Sequence, residues 1–193
     1  MQAFLVSAFV VALGEIGDKT QLLAILLATR FKKPVPIILG ILAATVANHL
    51  LAATVGYLVS GLLSGTWFRV AVGVSFIAMA LWVLVPDKAD EDEMRQRPGA
   101  GVFITTAIAF FLVEMGDKTQ IATLALAARF QNILLVAAGT TCGMMIADVP
   151  AVFLGEAATK IIPLNYVRIG TAIIFFILGA LAIAQALGMH VGL

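Results

Sequence analysis

Apolar residues run nearly unbroken along this chain at roughly 3–29, 35–62, 67–85, 101–128, 133–162 and 166–188, and most polar residues gather at the joints between those runs. A bilayer-spanning helix needs about 20 apolar residues, so the pattern predicts six transmembrane helices and an all-α membrane protein. Composition points the same way. Of the 193 residues, 62% are hydrophobic and 12% charged, where a soluble domain has about a quarter charged. The first run has no Lys or Arg ahead of it and is too long for a removable signal peptide, so it is expected to stay as a span. The strongly hydrophilic stretch "PDKADEDEMRQRPG", residues 86–99, carries five acids and three bases and reads as a solvated hinge rather than a cation-gathering surface. It divides the chain into a first unit at 1–85, a linker at 86–100 and a second unit at 101–193.

A cluster of charge interrupts the first apolar run. Residues 14–21 read "GEIGDKTQ", and residues 113–120 read "VEMGDKTQ". Glu15, Gly17, Asp18, Lys19, Thr20 and Gln21 return as Glu114, Gly116, Asp117, Lys118, Thr119 and Gln120, each displaced by 99 positions. The same offset pairs Arg30-Phe31 with Arg129-Phe130, Gly40 with Gly139, His49 with Asp148, Gly56 with Gly155 and Arg69 with Arg168, so the chain is an internal duplication. Three spans per unit is an odd number, so the second unit is expected to enter the membrane from the opposite face. The halves then form two inverted three-helix repeats. Arg30, Lys32, Lys33, Lys88, Arg95, Arg97, Lys160 and Arg168 fall on one side and only Arg69 and Arg129 on the other, which predicts a cytoplasmic location for the first group and both termini outside.

Charged residues near the middle of a membrane helix cost about 2.5 to 3.5 kcal/mol each, so their repetition in both halves requires compensation. On a continuous helix Glu15, Asp18 and Lys19 project from one face, with Gln21 at its margin. Gly14 and Gly17 permit close approach or a local break. A straight helix of about 27 residues would be about 40 Å long against a hydrocarbon core of about 30 Å, so a tilted or interrupted helix is expected. Inverted repeats bring equivalent mid-span positions together near the bilayer centre, where Glu15, Asp18, Glu114 and Asp117 would share one site. Clustered carboxylates repel unless protonated or bridged by a cation, and hard divalent ions take oxygen ligands. Lys19 and Lys118 leave this group at formal charge minus two, which complements one divalent ion. Self-contained ion pairs Glu15–Lys19 and Glu114–Lys118 are the structural alternative. They leave Asp18 and Asp117 without partners and do not explain why Thr and Gln recur.

The second and fifth spans contribute unequally. His49, after Asn48, is matched by Asp148, placing an ionisable group at equivalent depth in each half; His49 reads equally as ligand, proton carrier or hydrogen-bonded core residue. Pro150 deprives the carbonyl of Ile146 of its helical donor, which predicts a kink and a free oxygen beside Asp148. Thr45, His49 and Gly56 share one helix face, and Met144, Asp148, Ala151 and Gly155 share its equivalent. Met115 and Met144 read as packing groups. Glu156 stands at a span end, either admitting ions or simply solvated. Cys142 has no cysteine partner, and a net charge of +1 without a basic patch excludes a nucleic-acid partner.

Two copies of a Glu-x-Gly-Asp-Lys-Thr signature, "EIGDKT" and "EMGDKT", on the first and fourth spans resemble the Gdt family, also called the transmembrane protein 165 family, and its bacterial MneA-type manganese exporters. The resemblance covers essentially the whole chain. It implies a secondary transporter exchanging Mn2+, and in some members Ca2+, for protons, with Glu15, Asp18, Glu114 and Asp117 at the transport site and Thr20, Gln21, Thr119 and Gln120 lining it. Without an extra amino-terminal span, the chain is expected to resemble the compact members of the bacterial inner membrane. His49 and Asp148 remain inferences from the repeat.

The reading that follows is export of a divalent metal from the cytoplasm against protons, with no enzyme activity and no cofactor; its partners are the ion, protons and the lipid bilayer, and a homodimer is compatible with it. An all-oxygen site suits Ca2+ and Mn2+ alike, and a nitrogen from His49 would favour Mn2+. The first rival is a lysine-exporter-type carrier of small solutes or cationic amino acids. A second is an intramembrane metallohydrolase, weakened by the absence of an "HExxH" motif and by the remote position of His190. A non-transporting assembly factor gives no reason for duplicated acids. No phosphate-binding loop is present, so the driving force is expected to be ionic.

Overall fold

The computed structural model describes residues 1–62, 65–85, 101–154 and 164–188, which form eight α-helices and no strand. The linker at 86–100, together with Gly155, Glu156, Lys160 and His190, lies outside the described residues. The helices are α1 (Gln2–Glu15), α2 (Lys19–Phe31), α3 (Pro34–Leu62), α4 (Thr66–Val83), α5 (Val102–Glu114), α6 (Lys118–Phe130), α7 (Ile133–Leu154) and α8 (Leu164–Ala186). Pro34–Gly61, Thr66–Val83, Ile133–Leu154 and Arg168–Ala186 are long and apolar enough to cross a membrane; Gln2–Glu15 and Val102–Glu114 are shorter apolar helices. The first and fourth expected spans are therefore each divided into two helices, at the charged signature.

The division has a local cause. α1 ends at Glu15, Ile16 is extended, Gly17 takes φ 79°, and Asp18 is extended as the N-cap of α2. The second repeat does the same: Gly116 has φ 83° and Asp117 caps α6. Positive φ between the helices favours glycine, which has no Cβ to be strained there. Asp18-x-x-Gln21 and Asp117-x-x-Gln120 follow the spacing of a capping box. The glutamines reach one residue past the N-cap, Gln21 Oε1 accepting from Gly17 N at 2.8 Å and Gln120 Oε1 from Gly116 N at 2.6 Å, while the N–H groups of Asp18 and Asp117 donate to the carbonyls of Glu15 and Glu114. Neither aspartate side chain makes the reciprocal cap. Downstream, α2 ends on left-handed Lys32 and α6 on left-handed Gln131, again at equivalent positions.

The repeats interlock by exchange. α1 packs on α7 and α5 on α3; α2 reaches α7 and α6 reaches α3; α4 and α8 pack on each other. Glycines set these approaches at equivalent positions: a Cβ on Gly40 would stand 2.8 Å from the Phe103 carbonyl oxygen, and one on Gly139 2.5 Å from that of Phe4. Thr45 and its repeat equivalent Met144 touch, with the hydroxyl donating to the thioether sulfur at 2.9 Å. Direct contact between equivalent residues marks the line about which the two halves exchange. Met144 is fully buried, in keeping with a packing role.

Polarity is distributed inside out. Glu15, Thr20, Asn48, His49 and Asp148 are 0% exposed, while Leu5, Phe9, Leu51, Leu81, Leu112 and Phe176 are all more than half exposed. Water rewards the opposite arrangement, and an apolar exterior of this kind fits hydrocarbon.

Candidate functional site

Asp18 and Asp117 sit at the two chain breaks, and the lysine beside each turns to the aspartate of the other repeat. Lys118 Nζ donates to Asp18 Oδ1 at 3.1 Å, and Lys19 Nζ lies 3.3 Å from Asp117 Oδ1. The self-contained pairs of the structural alternative, Glu15–Lys19 and Glu114–Lys118, are not what forms among the described residues. The reason is the break: the i, i+4 relation and the shared-face argument assume one continuous helix, whereas Glu15 and Glu114 end one helix and the lysines begin the next. The aspartates that this alternative left without partners are the ones that bind the lysines.

The glutamates stay deeper. Both oxygens of Glu15 are buried without a hydrogen-bond partner, and the charges of Glu114, Asp148, Asp18 and Asp117 all act on it. Glu114 accepts from the Thr119 hydroxyl, which also lies 3.5 Å from Asp117 Oδ2. His49 Nε2 stands 3.7 Å from Glu114 Oε1. Asp148, the repeat equivalent of His49, is likewise buried with neither oxygen hydrogen-bonded, and interacts electrostatically with Glu114 and Glu15. The first signature's Thr20 is buried without the hydroxyl partner its equivalent Thr119 has.

The glutamines anchor the site rather than point freely into it. Besides holding the breaks, Gln21 Nε2 donates to the Ala147 carbonyl at 3.2 Å, and Gln120 Nε2 to Asn48 Oδ1 at 3.4 Å. Ala147 and Asn48 are repeat equivalents, so where α3 offers a side chain, α7 offers backbone. Asn48 Nδ2 in turn donates to the Phe111 carbonyl at 3.0 Å. α7 continues through Pro150 as one helix to Leu154, and the carbonyl engaged near Asp148 belongs to Ala147 rather than Ile146.

Among the described residues, no three His, Cys, Asp or Glu side chains converge closely enough to hold a metal ion as they now stand. The void beside Asp18 and Lys118 is only about 10 Å³ and is lined also by Gly14, Gly17, Arg168 and Thr171, which is about the space of one water molecule. Arg168 and Thr171 were missed as site-lining groups. The sequence marked Arg168 only as the repeat partner of Arg69 and as one of the basic residues expected on the cytoplasmic side, and offered no signal for Thr171, whose hydroxyl donates to the Leu13 carbonyl at 3.0 Å.

The sequence model of the family described as "Divalent cation/proton antiporter GDT1" matches residues 3–91 and again residues 102–190, two regions separated by the same 99 positions as the signatures. The chain belongs to this GDT1 family. A GDT1 antiporter is a transporter and not an enzyme, which removes the metallohydrolase, and its substrates are divalent cations and protons. The chain is 47% identical over 185 residues to a Vibrio cholerae protein named "Putative manganese exporter", covering 95% of this chain and 91% of the relative. It is 30% identical over 185 residues to rice GDT1-like protein 4, covering 82% of this chain and 65% of that one. Arabidopsis thaliana GDT1-like protein 5 is 27% identical, with 93% of this chain and 94% of the relative covered. No solved structure matches.

Proposed function

We propose that the chain exports Mn2+, and Ca2+ less selectively, from the cytoplasm in exchange for protons, at one site built from both E-x-G-D-K-T-Q signatures. The observation that carries this reading is the crossed pairing of Asp18 with Lys118 and Asp117 with Lys19 beside the buried Glu15 and Glu114. Two halves that donate equivalent charges to each other have one shared site, not two. The membrane topology is six spans in two inverted three-helix repeats, with α1–α2 and α5–α6 as the broken spans and both termini outside, in the inner membrane of a bacterial cell. Broken spans of this kind expose backbone and helix ends to an ion at mid-membrane, where such sites form in inverted-repeat transporters.

Glu15, Asp18, Glu114 and Asp117 are the oxygen donors in this reading, with Asp148 beside them and His49 adding a nitrogen that favours Mn2+ over Ca2+. Thr20, Thr119 and Asn48 line the site; Gln21 and Gln120 line it while holding the breaks. Cytoplasmic metal displaces protons from the carboxylates, the repeats rock, and external protons reload the acids as the metal leaves. Two protons per divalent ion keep the charge of the site constant, so no other energy source is needed.

Everted membrane vesicles under an imposed pH gradient test this directly. Mn2+ uptake by the parent should be accompanied by proton movement, and both Asp18→Asn and Asp117→Asn should abolish the metal-linked proton flux. Uptake of radiolabelled lysine or arginine in place of metal, or metal-linked proton flux persisting in both variants, would overturn the reading.

A further inference from the structure

We propose that Lys19 and Lys118 are resident counter-cations of the transport site: each ammonium holds the opposite repeat's aspartate when the divalent ion is absent and releases it, still charged, when the ion binds. The inference rests on the ion-exchange reading above. Its starting point is placement. Each lysine is the first residue of its helix, α2 or α6, where the helix dipole disfavours a cation. Neither is there to serve its own helix.

The positions instead suit a movable charge. The Lys118 and Asp18 side chains are 7% and 3% exposed, and those of Lys19 and Asp117 23% and 3%. An ion pair this buried has lost hydration and is held by its partner's charge. Lysine is a compact charge on a flexible stem, able to swing away from an oxygen without losing its proton. Nearby, Glu15 and Asp148 keep four buried oxygens without a hydrogen-bond partner among the described residues. The void beside Asp18 and Lys118 holds about one water. Asp18 Oδ1 and Asp117 Oδ1 are already engaged by ammonium groups, and Arg168 lines the same void, so a divalent ion that takes those aspartate oxygens has to displace the lysines from them.

This assigns separate duties to the two kinds of charge. Protons on the carboxylates balance the net charge of the exchange, and the lysines decide which cation the aspartate oxygens hold. Because each pair ties one repeat to the other, release of the lysines on metal binding also frees the halves to shift.

Calorimetric Mn2+ binding to the purified full chain in detergent tests the assignment, comparing the parent with Lys19→Gln, Lys118→Gln, Lys118→Arg and Asp18→Asn. Each glutamine variant is expected to lower the Kd for Mn2+ by about tenfold or more, because a buried like charge no longer opposes the ion. Arginine, which grips a carboxylate with two parallel bonds, is expected to raise it. A lysine needed only for structure would weaken binding when replaced by glutamine, so an unchanged or raised Kd in both glutamine variants overturns the inference. If those variants do not purify as folded protein, Lys118→Arg decides alone, and an unchanged or lower Kd overturns it. A parent that binds Mn2+, with loss in Asp18→Asn but no gain in the lysine variants, ends this inference and leaves the ion-exchange reading standing. A parent that binds neither Mn2+ nor Ca2+ ends both.

Discussion

His49 of α3 faces Glu114 of the other repeat, Nε2 to Oε1 at 3.7 Å, and both side chains are shut off from solvent. The position equivalent to His49 is Asp148, so the duplicated scaffold holds an imidazole in one half and, at the matching position of the other, a carboxylate that acts on both Glu15 and Glu114. In the function proposed above, this inequality gives the site one nitrogen donor.

His49→Ala should reduce the preference for Mn2+ over Ca2+ on the order of tenfold, the scale of losses when a group next to a metal ligand is removed. Competition of Ca2+ against Mn2+ uptake in everted vesicles measures it. An unchanged ratio would show that the imidazole serves packing alone.

Gly116 carries φ 83° with nothing within 4 Å of a Cβ added there, so space is not what excludes a side chain. Gly116→Ala should therefore cost about 1 to 2 kcal/mol through backbone strain, and Gly116→Asn less than Gly116→Val, because Asn visits the left-handed region readily. Thermal unfolding in detergent ranks the three.

Two glycines of α3 should respond oppositely. A Cβ on Gly56 runs into the Leu124 carbonyl of α6, whereas one on Gly61 meets nothing within 4 Å. Gly56→Ala should destabilise by about 1 to 3 kcal/mol by forcing α3 from α6, and Gly61→Ala should stay within about 1 kcal/mol of the parent. The same unfolding assay compares them.

Lys33 and Asn132 are repeat equivalents in the short joints before α3 and α7, and both are exposed. In the inverted topology they face opposite compartments. In a Cys142→Ser background, Asn132→Cys should react with a membrane-impermeant maleimide in intact cells, and Lys33→Cys only after permeabilisation. Labelling of both from one side would rule out inversion.

Much of this arrangement was legible in the letters. Six apolar runs, a 99-residue repeat and two charged octets are linear patterns, and the helices at 34–62, 66–83 and 133–154 follow the apolar runs closely because in a bilayer each backbone segment must satisfy its own hydrogen bonds. Even the interruption of the first span was foreshadowed by Gly17 and by the mismatch between span and bilayer. The glutamines read from the sequence as oxygen donors, and only the structure shows them holding the breaks through Gly17 N and Gly116 N.

What the sequence by itself determined is which residues are charged inside a membrane and that each has a counterpart; hydrophobicity and duplication are properties of the chain alone. Which charge meets which was decided only in three dimensions. A glycine at positive φ ends the helix between Glu15 and Lys19, and the exchange packing of α1 on α7 and α5 on α3 accompanies the turning of each lysine to an aspartate about a hundred positions away. Coulomb attraction acts through space and takes no account of sequence distance, so each lysine passes over the acids of its own repeat and pairs with the aspartate of the other.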